Sequence, residues 1–257
     1  MNPGVAAALA CSLALLGRAL GWLTLAGGAA AAAVGTAVFA GGGPAAAILL
    51  ASFFVSGSLL TKFSHTRGSR DRLDLQPGGR RARQVIANGS WAAIGAVLIP
   101  GWEGGWPLLA GALAAAQADT WATELGAFSH RPPRLLSTGG VVAPGTSGGI
   151  TPVGTAGGTA GAAALAALGG VVGLPETVVT AACAGGVVGM MLDSLLGATV
   201  QASYHCECCD ATAETALHEC GRTLALKRGW TWVDNDVVNL MATGSGGVVA
   251  VVLWVLL

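Results

Sequence analysis

Residues 106–128 read WPLLAGALAAAQADTWATELGAF. The segment is long enough to cross a membrane, since about 20 apolar residues in a helix span the hydrocarbon core. It nevertheless carries Asp119 and Glu124, and a carboxylate in hydrocarbon is costly unless it is paired, protonated or metal-bound. The segment therefore predicts a transmembrane helix with a polar face toward a cavity. The alternative is that both carboxylates reach water at the cytoplasmic end of the helix.

The composition of the whole chain agrees with a membrane protein. Of its 257 residues, 53% are hydrophobic and only 10% are charged, against about 25% charged in soluble domains. The 41 glycines allow close packing of transmembrane helices. A net charge of zero gives no electrostatic reason to expect a nucleic-acid partner. We predict an all-α, polytopic helical bundle that forms one integral membrane domain over residues 1–257.

Apolar stretches bounded by glycine, proline or charge predict the individual spans. Eight are expected, at residues 4–17, 20–41, 44–61, 84–100, 106–128, 151–173, 177–203 and 232–257. The first is short, so the number of full crossings is seven to eight. A signal peptide is the rival interpretation of residues 1–16, but no basic residue precedes the apolar run. A retained helix is favoured.

The basic residues test this layout. All 13 Lys and Arg residues lie in alternate loops, so they share one face of the membrane. By the positive-inside rule that face is cytoplasmic or its organellar equivalent, and both termini lie opposite. Two insertions occupy this face, a basic loop at 62–83 and a Cys- and His-rich loop at 204–230. A bacterial inner membrane or a plastid-type organellar envelope is the expected location.

Further acidic residues interrupt the last two predicted spans. Asp193 is followed at four-residue intervals by Gly197 and Gln201, and a lone carboxylate in such an apolar run indicates a function. The last span begins with Asp236 close to Asn235 and Asn239, whose oxygens suit Mg²⁺ or a hydroxyl-rich ligand. The neighbouring Asp234 is explained as well by a helix cap.

Two loops on the basic face offer groups that bind phosphate. Arg81, Gln84 and Asn88 recur at helical spacing at the start of the fourth span, and arginine forks bind phosphate oxygens. Residues 144–151 read PGTSGGIT, and successive amides before a helix form an anion-binding concavity. This loop is not a Walker sequence, because no Gly-Lys-Ser or Gly-Lys-Thr follows.

The Cys-rich loop predicts a structural zinc site. Cys206 and Cys209 have the spacing of a zinc knuckle, and His218 with Cys220 would complete four ligands. A disulfide is disfavoured on the reducing side of the membrane. Free thiols in an insertion are the alternative.

Carboxylates for Mg²⁺ and arginines for phosphate on one membrane face are the parts that phosphoryl transfer requires. Five strings carry a resemblance to a known family: GGRRARQVIANG (78–89), ADTWATELG (118–126), PGTSGGITPVGT (144–155), DSLLGATVQ (193–201) and DNDVVN (234–239). Over roughly residues 20–257, the chain resembles the membrane family that includes plant and cyanobacterial phytyl-phosphate kinase.

The resemblance implies an isoprenoid monophosphate kinase of the tocopherol pathway or a related prenyl-lipid pathway, with CTP or ATP as donor. It implies that Mg²⁺ is held, or the acceptor phosphate oriented, by Asp119, Glu124, Asp193 and Asp236. The expected phosphate- and substrate-binding residues are Arg80, Arg81, Arg83, Asn88, Gly145, Thr146, Ser147, Gly148, Gly149, Gln201, Asn235 and Asn239. A transporter or lipid-handling protein with the same polar residues along a path is the rival class. A nonenzymatic scaffold does not explain carboxylates in three spans.

Overall fold

The computed structural model describes residues 1–67, 79–206, 211–213 and 224–257. Most of these residues are helical, and they form α1 (Pro3–Ala19), α2 (Leu25–Arg67), α3 (Ala82–Leu98), α4 (Gly105–Gly126), α5 (Pro152–Val171), α6 (Glu176–Thr199) and α7 (Asn235–Leu256). Side chains cap several of the helix starts, as expected where backbone amides lack partners. Asn2 caps α1, Thr151 caps α5 and Asp234 caps α7.

Helix α2 reverses direction at Gly43. This residue has φ 62° and ψ −153° and is followed by Pro44, a conformation open to glycine but not to most residues. Gly27 and Gly57 both lie against Arg80, although thirty residues of straight helix would separate them by about 45 Å. The first half of α2 (residues 25–42) and the second half (residues 44–67) are therefore an antiparallel hairpin.

Three helical stretches in the described part of the chain are long and apolar enough to cross a membrane: Leu25–Ser64, Glu176–Thr199 and Asn235–Leu256. The predicted spans at 20–41 and 44–61 correspond to the two halves of α2, and each of the other six lies on one helix. That all eight helical segments cross the bilayer stays a prediction.

Helix α4 lies at the centre of the bundle. It packs on every other long helix except α1, and its residues from Leu108 to Ala118 are buried. Glycine allows the closest of these contacts: a Cβ on Gly111 would lie 2.6 Å from the carbonyl oxygen of Gly246 on α7. The acidic segment of α4 is thus held among other helices.

Five short strands were not predicted, and the seventh predicted span was drawn too long. The strands β1 (Arg134–Leu135) and β2 (Gly149–Ile150) pair antiparallel, and β3 (Ser203–Cys206) lies between β4 (Ala211–Ala213) and β5 (Ala225–Arg228). Helix α6 ends at Thr199, so Ser203 belongs to a strand. Part of the predicted Cys-rich insertion is therefore a small antiparallel sheet.

One end of the bundle collects the polar loops. Arg83 at the start of α3 contacts Asp234 before α7. Gln201, which follows α6, donates a hydrogen bond to Ser147 in the loop before α5. Most of the residues predicted to bind phosphate lie at this end.

Candidate functional site

The polar face of α4 points into the protein. Gln117 is 2% exposed, and its Nε2 donates to the carbonyl oxygen of Gly161 on α5 at 2.8 Å. Its Oε1 accepts from the hydroxyl of Ser56 on α2 at 3.4 Å. The polar stripe of α4 is therefore buried between α2 and α5, as the cost of exposing it to lipid requires.

Glu124 is held by hydroxyl groups of the second half of α2. Thr61 Oγ1 donates to Glu124 Oε1 at 2.9 Å, and Ser64 Oγ donates to Oε2. The carboxylate is 7% exposed, so these bonds replace its hydration. Sequence reasoning missed both hydroxyl residues, although small polar residues recur from 56 to 64 in an otherwise apolar run.

Asp119 and Asp193 bring α4 and α6 together. Their carboxyl groups lie within reach of each other, with Glu124 close enough to act on Asp119 by charge. An ionised carboxylate only accepts hydrogen bonds. Contact between two of them therefore requires a shared proton or a cation between them.

The four predicted Mg²⁺ ligands are not gathered into one group. Asp119 faces Asp193, Glu124 bonds to α2, and Asp236 lies 3.6 Å from Arg83 Nε. Within the described ranges, no three Asp, Glu, His or Cys side chains are placed to hold a metal. The Asp119–Asp193 pair still fits Mg²⁺, which usually takes one or two carboxylates and completes its shell with water and phosphate.

Arg80 is fixed by its own backbone and by the glycine before it. Its N–H donates to the carbonyl oxygen of Trp22 at 2.9 Å, and its carbonyl oxygen accepts from Thr24 N at 3.2 Å. Gly79 has φ 89°, and a Cβ there would lie 2.6 Å from Leu23 N. Only glycine fits this turn, which directs the Arg80 side chain inward.

The guanidinium of Arg80 lies among aromatic rings at the edge of the acidic stripe. Its Cζ lies 5.4 Å from the ring centres of Phe53 and of Phe54, a distance typical of cation–π contact. Burial lowers the pKa of Arg80 to about 10, and the charge of Glu124 opposes that shift. The group is therefore a permanent cation at neutral pH.

Gly57 leaves room for that cation beside α4. A Cβ on Gly57 would lie 2.8 Å from Arg80 Nη2 and 3.2 Å from Thr120 Cγ2. The guanidinium and Thr120, the residue after Asp119, therefore flank the same glycine. Arg80 connects the acidic stripe of α4 with the space on the other side of α2.

That space is a partly open pocket between α1, both halves of α2 and α3. A mostly apolar lining with a few polar groups is typical of small-molecule sites. Arg80, Gln84 and Asn88 form a polar strip on one wall, and Asn88 Nδ2 donates to the carbonyl oxygen of Gln84 at 3.0 Å. The other walls are apolar: Ala10, Leu13, Ala14, Leu23, Ala31, Val34, Gly35, Phe39, Leu50, Phe53, Phe54, Val85 and Gly89.

The other predicted arginines lie outside this pocket. Arg81 is exposed, so Arg80 takes the place that helical spacing assigned to Arg81 beside Gln84. Arg83 is 67% exposed and lies 2.6 Å from Asp234. Asp234 also caps α7, since its Oδ1 accepts from Val237 N at 3.0 Å. Asn235 is exposed and Asn239 is buried at the same helix start.

The glycine-rich loop packs against the end of α6. Gly148 has φ 78°, and a Cβ on it would collide with the backbone of Ala198. Gln201 Nε2 donates to Ser147 Oγ at 3.1 Å, and Arg228 Nη2 donates to the carbonyl oxygen of Gly197 at 2.7 Å. The close approach that Gly148 permits is to protein backbone. Binding of nucleotide by Gly145, Thr146 and Gly149 stays a prediction.

The predicted zinc site falls largely outside the described residues. Cys206 ends β3, but Cys209, His218 and Cys220 lie in the ranges 207–210 and 214–223. The zinc site therefore stays a prediction.

Comparison with known proteins supplies the family. Protein PGR of Arabidopsis thaliana is 31% identical over 229 residues, which cover 74% of this chain and 75% of that protein. The uncharacterized membrane protein MJ0933 of Methanocaldococcus jannaschii is 30% identical over 206 residues, covering 79% of this chain and 74% of the relative. No solved structure matches the chain.

The model of the family described as integral membrane protein DUF92 matches residues 8–247. That range contains all five strings on which the resemblance was based, and the family resemblance is confirmed. The chain belongs to the DUF92 family of integral membrane proteins.

Proposed function

We propose that the protein is a membrane-embedded kinase of isoprenoid monophosphates, which transfers a phosphoryl group from CTP or ATP to make the prenyl diphosphate. One observation carries the proposal: the cation of Arg80 lies where the apolar pocket borders the acidic stripe of α4. A prenyl monophosphate has the matching form, with a charged head on an apolar chain.

The acceptor binds with its phosphate at Arg80 and its chain among the apolar residues of α1 and α2. A guanidinium recognises phosphate through paired hydrogen bonds. The indole N–H of Trp22, in edge contact with Phe54, is buried and has no hydrogen-bond partner among the described residues. An orphan donor in this aromatic cluster suits a ligand that supplies acceptor oxygens.

Transfer proceeds without a covalent enzyme intermediate. An oxygen of the acceptor phosphate attacks the γ-phosphorus of the donor, the bond from that phosphorus to the bridging oxygen breaks, and the nucleoside diphosphate leaves. Asp119 and Asp193 would hold Mg²⁺, which neutralises charge on the transferring group. Glu124, held in place by Thr61 and Ser64, would add negative charge that favours binding of Mg²⁺.

The nucleotide is expected on the basic face. Arg81 and Arg83 are exposed there beside α7, and the loop 144–151 lies at the same end of the bundle. In this arrangement the eight helical segments cross the bilayer, the basic loops face the cytoplasm or its organellar equivalent, and both termini lie opposite. The membrane would be a bacterial inner membrane or an organellar envelope.

A transporter is the second candidate, and the Asp119–Asp193 contact favours it. Carboxylates that share a proton inside a membrane protein are parts of proton relays. Solute flux into proteoliposomes, driven by a pH gradient, would identify this function.

Purified protein in detergent tests the kinase directly, with Mg²⁺, labelled CTP or ATP, and a panel of prenyl monophosphates. We expect prenyl diphosphate from the wild type and at least about a 100-fold slower reaction from Asp193→Asn, the loss typical of a removed transition-state contact. Glu176→Gln, at the other end of α6, is the control and should retain activity. No diphosphate from any acceptor, together with solute flux, would refute the kinase.

A further inference from the structure

We infer that Phe39 is the floor of the pocket and sets the longest prenyl chain that the protein accepts. The inference rests on the proposed function and adds the feature that selects the substrate. Phe39 is 3% exposed and lines the pocket. It lies on the first half of α2, four residues before the reversal at Gly43, and thus far from Arg80.

The depth of the pocket follows from the helix. Gly27 packs against the carbonyl group of Arg80, and Gly35 faces the ring of Phe39, since a Cβ on Gly35 would lie 3.8 Å from Phe39 Cζ. These glycines are eight residues apart, which corresponds to a rise of about 12 Å. Helical side chains point toward the helix N-terminus, so the ring projects back toward Arg80 and closes the space.

Helices α1 and α2 pack closely around Phe39. A Cβ on Gly35 would also lie 3.1 Å from Ala10 Cβ, so α1 and α2 are in direct contact at this level. Ala10 and Leu50 line the same end of the pocket and are part of the hydrophobic core or pack against it. The ring of Phe39 is the largest apolar group there, and its removal extends the cavity along α2.

Above the floor the pocket has an opening beside α1. Leu13 lines the pocket and is 46% exposed, and α1 packs mainly on α2. A substrate dissolved in the bilayer can therefore enter from the side, with its head reaching Arg80 and its chain descending toward Phe39. Length is limited by the floor and not by entry.

Two substitutions should move the preference in opposite directions. Phe39→Ala removes the floor and should favour geranylgeranyl or phytyl monophosphate over farnesyl monophosphate. Ala31→Phe adds a ring midway between Gly27 and Gly35, where Ala31 is half-buried and lines the pocket, and should favour geranyl monophosphate. A pocket discriminates about tenfold or more for a small change in apolar bulk, so we expect the ratio of kcat/KM values between chains to shift by at least about tenfold.

Leu165→Ala is the matched control, because Leu165 is fully buried on α5 outside the pocket. It opens a cavity but should leave chain preference unchanged. Binding is measured in parallel, as the rise in apparent unfolding temperature with each prenyl monophosphate, so that chain selection is assessed even without turnover.

An active wild type whose Phe39→Ala and Ala31→Phe variants keep its chain preference within twofold would overturn the inference and leave the kinase intact. Failure of every acceptor to react would refute the kinase. In that case, thermal shifts that follow chain length and change with Phe39→Ala would still support the floor, and shifts independent of chain length would refute it.

Discussion

The two halves of the bundle pack in different ways. On α4, α6 and α7, glycines bring backbones into contact: a Cβ on Gly185 would collide with the carbonyl oxygen of Gly246, and one on Gly189 would lie 2.8 Å from that of Ala242. Glycine also brings α2 against α3, since a Cβ on Gly41 would collide with the carbonyl oxygen of Ala96. Helices α1, α2 and α3 nevertheless leave a partly open pocket between them. The difference indicates a scaffold of α4, α6 and α7 that aligns Asp119 with Asp193 and a second half whose pocket can receive a ligand.

Breaking the scaffold should have the largest effect. Gly185→Val places side-chain carbons where the α7 backbone lies, so the helices must separate and folded protein should be lost. Overpacking a core costs about 1–3 kcal/mol, and backbone cannot relax as a side chain does. Gly28→Val is the control, because nothing lies within 4 Å of a Cβ there. Gel filtration in detergent measures the outcome, and an unchanged Gly185→Val would contradict tight packing.

Removing the cation of the pocket should have the next largest effect. Arg80→Gln should lower kcat/KM for the acceptor by about 100-fold, since charge-assisted hydrogen bonds contribute about 1.5–3 kcal/mol each. Arg131→Gln should cost only a fewfold change, because Arg131 is exposed in the loop after α4 and does not line the pocket. Equal losses from the two variants would mean that Arg80 has no special role.

The space beside Gly57 that holds the Arg80 guanidinium can be made smaller without changing any charge. Gly57→Ala puts a methyl group 2.8 Å from Arg80 Nη2 and should displace the guanidinium from the border of α4. We expect a rise in the KM for the acceptor of about tenfold, equivalent to about 1.4 kcal/mol, with little loss of folded protein. An unchanged KM would show that the position of the guanidinium beside Gly57 is unimportant.

The smallest effect concerns the link between the halves. Thr61→Val removes a hydroxyl that donates to Glu124, and a lost bond to a buried charge costs about 1–3 kcal/mol. The apparent unfolding temperature should fall by a few degrees. Thr36→Val is the matched control, since Thr36 donates to the carbonyl oxygen of Ala32 in its own helix. It should lower the apparent unfolding temperature by less than Thr61→Val does. If both variants lowered the unfolding temperature by the same amount, Glu124 would have no role in holding α2 to α4.

These comparisons also show what sequence could predict. Apolar length and the glycine, proline or charged residues at the ends of each apolar run predicted each helical segment, because bilayer thickness and backbone sterics act locally. The facing of Asp119 and Asp193 depends on how α4 and α6 pack, and the pocket depends on space between four helical segments. Neither is encoded by any single stretch.

Other differences have equally local causes. Helical spacing placed Arg81, and not Arg80, with Gln84 and Asn88. Arg80 precedes the helix, where helical spacing does not apply. The strands around Ser203 lie past the end of α6, in a stretch apolar enough to be mistaken for its continuation. Thr61 and Ser64 were overlooked because hydroxyls in an apolar helix can also bond to their own backbone, as Thr36 does.

The most direct test of the account is a cryo-electron microscopy map of the protein in a lipid nanodisc with farnesyl monophosphate bound. We expect phosphate density in contact with the Arg80 guanidinium and a chain that runs between α1 and α2 toward Phe39. Phosphate density at the loop 144–151 instead, or a chain on the outer surface of α1 with the pocket empty, would contradict it.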